Sequence, residues 1–199
     1  MQRVFAKILC MKEIHLTVES AKALAHPLRM RIVGSLRLDG PATASMLAER
    51  LAVSSGLTSY HVRRLADAGF VEPDDGQVAT GRERWWRAAH DMTTWRAGDL
   101  DADADARATE QWLQTYAARH GIEQLDDWIR RRPEADPAWR EATTISDYVL
   151  ELTPDELRAL EAEIDAVIAR RLDREPDADP ARAQVVLLLS TFPRADPAR

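Results

Sequence analysis

Residues 53–69 read VSSGLTSYHVRRLADAG, and this stretch decides the fold. A serine-rich turn leads into a run with helical spacing, and Gly69 stands where a helix commonly ends. The spacing predicts a helix from about Ser55 to Ala68. On a helical wheel Leu57, His61, Val62, Leu65 and Ala68 gather on one side, and Ser55, Ser59, Tyr60, Arg63 and Asp67 on the other. Taken alone, such a helix is the solvated face of an ordinary core helix. Its neighbours in the chain change that reading.

Upstream, EIHLTV (13–18) suits a short strand, and residues 19–40 read as a helix bent or broken near Pro27, with Leu24, Leu28, Ile32 and Leu36 at helical spacing and Asp39-Gly40 ending it. Pro41 and Thr43 open a second helix over 44–52, with Thr43 as N-cap and Met46, Leu47 and Leu51 as apolar face. Downstream, FVEP (70–73), a polar tip and WWRAAH (85–90) give two strand signals around a glycine-containing loop, a β-hairpin. Trp85 and Trp86 must then point to opposite sides, one into the core and the other toward an interface. Helix, helix, tight turn, helix and hairpin is the order of a winged helix-turn-helix.

Charge is segregated along the chain. The net −6 hides a residue 1–90 segment with 13 Lys/Arg against 9 Asp/Glu, net +4, and a residue 91–199 segment at net −10. The first can sit against phosphate and the second turns away from it. In the third helix, Ser59, Tyr60 and Arg63 offer hydroxyl, phenol and guanidinium to base edges. Thr43, Ser54, Ser55, Gly56 and Thr58 lie at helix starts suited to phosphate oxygens, and Arg64 sits on the flank. Arg82 and Arg84 at the hairpin tip can reach the adjacent groove or backbone.

ALAHPLRMRIVGSL (23–36), LAERLAVSSGLTSYHVRRLADAGFVE (47–72) and GRERWWRAAH (81–90) together resemble the ArsR-type winged-helix repressors of bacteria, over roughly residues 13–90. Within them the chain is most similar to the non-metal-sensing branch with longer C-terminal regions common in actinobacteria. The resemblance implies sequence-specific binding of double-stranded DNA as a homodimer, with the third helix in the major groove and the hairpin as wing. Metal-sensing members carry a cysteine pair in the helix before the recognition helix. Here that region reads TASMLAERL (43–51), without a cysteine, and no metal site or cofactor is expected.

The expected organisation is an N-terminal extension over residues 1–12, ahead of or including the alternative start Met11, a DNA-binding domain over 13–98 and a C-terminal domain over 99–199. In that last domain the acidic DLDADADARA (99–108) marks a boundary. A helical stretch follows over 104–132, interrupted near Gly121, and then a loop over 132–137. Strand (144–153), helix (153–172) and strand (183–192) form a small β-α-β tail. The fold class is therefore α+β, mainly α. Trp95, Trp112, Tyr116, Trp128 and Trp139 are candidates for a dimerisation core or for the lining of a small-molecule effector pocket, with the core reading favoured.

A single cysteine, Cys10, rules out an internal disulfide and suits a reducing cytoplasm, where the regulator would associate with the nucleoid. No apolar run approaches the ~20 residues of a membrane span. No nucleophile–base pairing or Gly-x-Gly phosphate cradle points to an enzyme. The alternative from another class is a winged helix that binds protein instead of DNA.

Overall fold

The computed structural model describes residues 13–76, 84–90, 92–94, 100–172 and 179–194. The chain divides into two compact units, Met1–Arg119 and His120–Arg199.

In the first unit a short strand β1 (Glu13–His15) precedes helices α1 (Val18–Leu24) and α2 (Pro27–Leu38). The expected break falls at Ala25-His26. Pro27 has no N–H to continue the ladder but suits the first position of a new helix. Thr17 and Ser20 form a reciprocal capping box on α1, and His26 caps α2 by accepting the Leu28 N–H on Nδ1 at 3.1 Å. Leu28, Ile32, Val33 and Leu36 form the buried stripe of α2. Arg37 reaches out of this helix, donating from Nε to the His90 carbonyl at 3.0 Å and from Nη2 to Thr93 Oγ1 at 2.7 Å.

A two-residue strand β2 (Ala42–Thr43) leads into α3 (Ala44–Leu51), and α4 (Ser55–Asp67) follows after three residues. Thr43 caps α3 through the Met46 N–H, and Ser54 caps α4 through the Leu57 N–H. The left-handed residue of the intervening turn is Ala52, at φ 54°. An L-residue pays about 1–2 kcal/mol for that conformation, part of which glycine would lose again as chain entropy. Ala52 is exposed and its backbone N–H bonds back into α3. Ala52→Gly is therefore expected to stabilise the unit by about 0.5–1 kcal/mol. An unchanged or lower urea midpoint would contradict this.

Gly69, at φ 79°, ends α4 as expected and turns the chain into the hairpin β3 (Val71–Pro73) and β4 (Trp85–Ala88). These strands are antiparallel, with Val71 opposite Ala88 and Pro73 opposite Trp86, and β2 flanks β4 on its other edge to give the order β2-β4-β3. The hairpin is tied to α4 at its root: the Phe70 N–H donates to the Leu65 carbonyl and the Ala89 N–H to the Phe70 carbonyl. A separate parallel pair joins β1 to β5 (Met92–Thr94). The expected hairpin tip around Arg82, and Trp95, lie outside the described residues.

Phe70, Leu24, Ile32, Leu47, Leu65 and Val62 fill the core, joined by Leu100 and Leu113. Leu113 belongs to α5 (Ala104–Arg131), whose first half lies in the first unit. The acidic residues of 99–105 read as a linker, but Leu100, Ala106 and Leu113 turn inward between and beyond them. Charge on the exposed side of a chain says nothing about its buried side. The helix is also continuous through Gly121, where a break was expected. Glycine weakens a helix interior by only about 1 kcal/mol, and here it allows close approach: a Cβ at Gly121 would meet Leu188 at 3.1 Å.

The second unit contains the end of α5, a 3-10 turn (Arg132–Glu134), α6 (Pro137–Ala142) and α7 (Pro154–Leu172). The turn lies inside the loop expected over 132–137, and α6 starts at its end with Asp136 as cap. Thr153 and Glu156 bond reciprocally at the start of α7, as the Thr-Pro-Asp-Glu sequence predicts. Among the described residues the expected β-α-β tail is not formed. Its helix is present, but residues 144–153 and 183–192 join no sheet. Their sequences favour extended backbone, and a strand also needs a neighbour to take its hydrogen bonds. Among the described residues no helix is long and apolar enough to cross a membrane.

Candidate functional site

The side of α4 away from the core presents one continuous surface. Ser55, Gly56, Leu57, Tyr60, Arg63, Arg64 and Asp67 are exposed and Ser59 is half-buried, while Thr58, His61, Val62 and Leu65 face inward. The wheel drawn from sequence is therefore right for Ser55, Ser59, Tyr60, Arg63 and Asp67 and for three of the buried residues. Of the other two on that side, Ala68 is half-buried and Leu57 is 44% exposed, and Thr58, expected from sequence at phosphate, is fully buried. Thr58 takes the inward position because its hydroxyl donates to the Ser54 carbonyl at 3.0 Å, which removes the cost of burying it. Leu57, one position earlier, is rotated outward.

Thr43 is another correction. It is 3% exposed, serves as N-cap of α3 and pairs with Trp85 in the sheet, so it does not face solvent. Ser54 is exposed, with its oxygen engaged by the Leu57 N–H at 3.3 Å. Arg84 emerges beside the hairpin with its guanidinium carbon 5.7 Å from the centre of the Trp86 ring. Trp86 packs against the core, as one of the two tryptophans had to. Trp85 lies on the opposite face of β4, where Arg87 pairs with Glu72 across the hairpin at 2.7 Å. Tyr60, Arg63 and Arg64 thus belong to α4 and Arg84 to the residue just before β4, and all but the tyrosine carry positive charge.

Behind α4 lies a group that the sequence did not suggest as a unit. The rings of His26 and His61 are 4.4 Å apart, and Tyr60 meets His61 edge-on at 5.1 Å. Burial, reinforced by the neighbouring Arg29, holds both histidines below their ordinary value, with His26 adding to the effect on His61. Burial and the adjacent Arg64 act on Arg29 in the same direction, while Tyr60 opposes them. The only sequence clue was His-Pro at the start of α2 and a histidine on the inner stripe of α4.

The folded state therefore prefers neutral imidazoles. As pH falls through the ordinary histidine value of 6.5, the unfolded chain takes up protons first, so stability is lost on acidification. The urea midpoint is expected to drop between pH 7.5 and 5.5. The drop should shrink in His26→Asn, which keeps an N-cap oxygen. A midpoint that rises or stays level in the parent protein would refute the burial argument.

Trp112 is half-buried and stacks on Tyr116 at 5.3 Å, and the Tyr116 hydroxyl donates to the Pro27 carbonyl at 3.4 Å. This pair belongs to the first unit, whereas Trp128 and Trp139, both half-buried, belong to the second. The tryptophans proposed from sequence as one core are therefore divided between two units. Among the described residues no group of three or more His, Cys, Asp or Glu side chains could hold a metal ion.

Residues 24–74 match the family described as "Helix-turn-helix domain". This match ends inside the hairpin and takes in α3, its turn and α4, the elements that build the exposed face. No curated protein matches the chain. Among solved structures the helix-turn-helix chain is similar to HlyU from Vibrio cholerae N16961, at 21% identity over 48% of this chain and 86% of that one, with a TM-score of 0.30. The reduced form of HlyU gives 21% identity, 82% coverage of that chain and a TM-score of 0.29. An ArsR family transcriptional regulator is 25% identical over 56% of this chain and 94% of that one, with a TM-score of 0.30.

Proposed function

We propose that the chain is a sequence-specific transcriptional regulator of the ArsR type without metal sensing, binding double-stranded DNA as a homodimer and acting as a repressor. The observation that carries this reading is the outward face of α4 on a helix-turn-helix. It combines Ser59, Tyr60 and Arg63 with flanking Arg64, and α4 is preceded by a three-residue turn and followed by a wing. The major groove, ~12 Å wide, admits such a helix, and arginine can bond guanine through two donors at once. Ser54 and Ser55 offer a helix start to phosphate oxygens. Arg82 and Arg84 extend the contact along the wing. Leu57, 44% exposed on the same helix, would meet a thymine methyl. The acidic second half of the chain orients the basic half toward the polyanion. A homodimer would read an inverted repeat with half-sites one helical turn apart, ~34–36 Å.

The test is binding to its own promoter region and those of adjacent genes across a salt series. The logarithm of the affinity should fall linearly with the logarithm of salt concentration, and an inverted repeat should outcompete random duplex. Binding indifferent to salt, or equal for all sequences, would end the proposal.

A further inference from the structure

The wing joins α4 through a short root. β3 has three residues and β4 four, and among the described residues β3 pairs with β4 alone. A hairpin of that size is marginal by itself and sets no direction of its own. Its direction against α4 is decided where the chain leaves α4 and where it leaves β4, at residues 69–70 and 89–90. Backbone bonds close part of this root, from the Phe70 N–H to the Leu65 carbonyl and from the Ala89 N–H to the Phe70 carbonyl.

His90 closes the rest. Its ring Nε2 lies 2.8 Å from the Gly69 carbonyl. A carbonyl only accepts, so Nε2 carries a proton and donates it. Gly69 follows the last turn of α4 at φ 79°, and its carbonyl stands at the negative end of the helix dipole, where a donor is favoured. The His90 carbonyl in turn accepts from Arg37 Nε at 3.0 Å, and Arg37 sits in the last turn of α2. One residue thus ties the exit of the wing to the end of α4 through its ring and to α2 through its backbone. Among the described residues the second ring nitrogen, Nδ1, is buried and bonds nothing. The hydrogen bonding of the ring is therefore spent on Gly69.

We propose that His90 is a positioning residue for DNA reading: its ring fixes the tilt of the wing against α4, so that Arg84 meets phosphate while Arg63 reads a base. From His90 back to Arg84 the chain runs about 20 Å as strand. A tilt of about 10° at the root moves Arg84 by roughly 3–4 Å, more than the ~3 Å length of a bond to a phosphate oxygen. The Arg84 guanidinium lies 5.7 Å from the centre of the Trp86 ring, so it moves with β4. The side chains of α4 stay in place under such a tilt. Loss of the ring bond should therefore remove a phosphate contact and spare base preference. This inference rests on the DNA-binding reading and adds to it a residue that acts through Arg84.

The test is fluorescence anisotropy of the full chain with a duplex from its own promoter region and a scrambled duplex across a salt series. The variants are His90→Leu, His90→Asn and His90→Gln. Glutamine can place an amide N–H near the position of Nε2, whereas asparagine is too short and leucine has no donor. His90→Leu and His90→Asn should weaken both duplexes roughly ten-fold, lower the salt slope by about one and keep the ratio between duplexes within about two-fold of the parent. His90→Gln should bind within about three-fold of the parent at the parental slope. In an Arg84→Ala background His90→Leu should cost less than about two-fold more, because the contact it positions is already gone.

A parental slope in both the leucine and asparagine variants would overturn the proposal, as would a glutamine variant as weak as leucine. Losses that multiply in the double variant, or lower urea midpoints with an unchanged slope, would make His90 merely structural and overturn it too. If His90→Leu fails to fold, His90→Asn against His90→Gln carries the comparison. A parent that binds no duplex refutes the regulator reading and this inference together. A parent that binds, with His90 variants that bind like it, refutes this inference alone.

Discussion

Truncating Phe70 to alanine is expected to lower the unfolding free energy of the first unit by about 3–5 kcal/mol, the usual cost of removing a buried aromatic ring and leaving a cavity. Phe70 is fully buried at the junction of α4 and the hairpin. Its backbone holds both neighbours, through the Leu65 carbonyl on one side and the Ala89 N–H on the other. Those backbone bonds survive the substitution, so the loss reports packing alone. Urea unfolding followed by tryptophan fluorescence and by circular dichroism measures it. The contrasting variant Leu57→Ala removes an exposed side chain and should shift stability by less than about 0.5 kcal/mol. Equal effects of the two substitutions would mean that α4 has been assigned the wrong inner face.

Arg63→Ala is expected to weaken binding to the cognate operator by roughly 5- to 150-fold, the ~1–3 kcal/mol of a two-pronged base contact, and to relax preference at one base position. Arg84→Ala, just before β4, should weaken binding to all duplexes to a similar degree and lower the salt slope by about one. Fluorescence anisotropy with cognate and scrambled duplexes at several salt concentrations separates the two. The pairing matters more than either value. If Arg63→Ala weakens cognate and scrambled duplex alike, the residue contacts phosphate, and base reading must lie elsewhere on α4. If neither variant changes affinity, the exposed face of α4 is not the DNA surface.

The first unit was largely legible in the sequence because its signals are local. Pro27 must start a helix or end one, Thr43 and Ser54 are good caps, and Gly69 accepts a positive φ that other residues avoid. Where reading failed, the deciding contact was remote or the residue was ambivalent. Thr58 reads as a polar residue for the outside, yet a hydroxyl bonded to the carbonyl four residues back is a small apolar side chain to its surroundings. Thr43 reads as an accessible hydroxyl, but Trp85, 42 positions later, pairs over it. The tilted contact of His26 with His61 joins the cap of one helix to the interior of another, and no spacing rule connects them.

By itself, the sequence determined the helix-turn-helix with its hairpin, the caps and breaks that bound each helix, and the segregation of positive charge into the first half of the chain. These depend on backbone preferences and periodicity, which act over a few residues. Only the tertiary structure decided that Thr58 turns inward and Leu57 outward on α4, that His26 meets His61, and that, among the described residues, 144–153 and 183–192 join no sheet. Those outcomes depend on which surfaces meet. A strand-forming run carries its own tendency to be extended, but the hydrogen bonds and apolar contacts that complete it belong to whatever lies beside it.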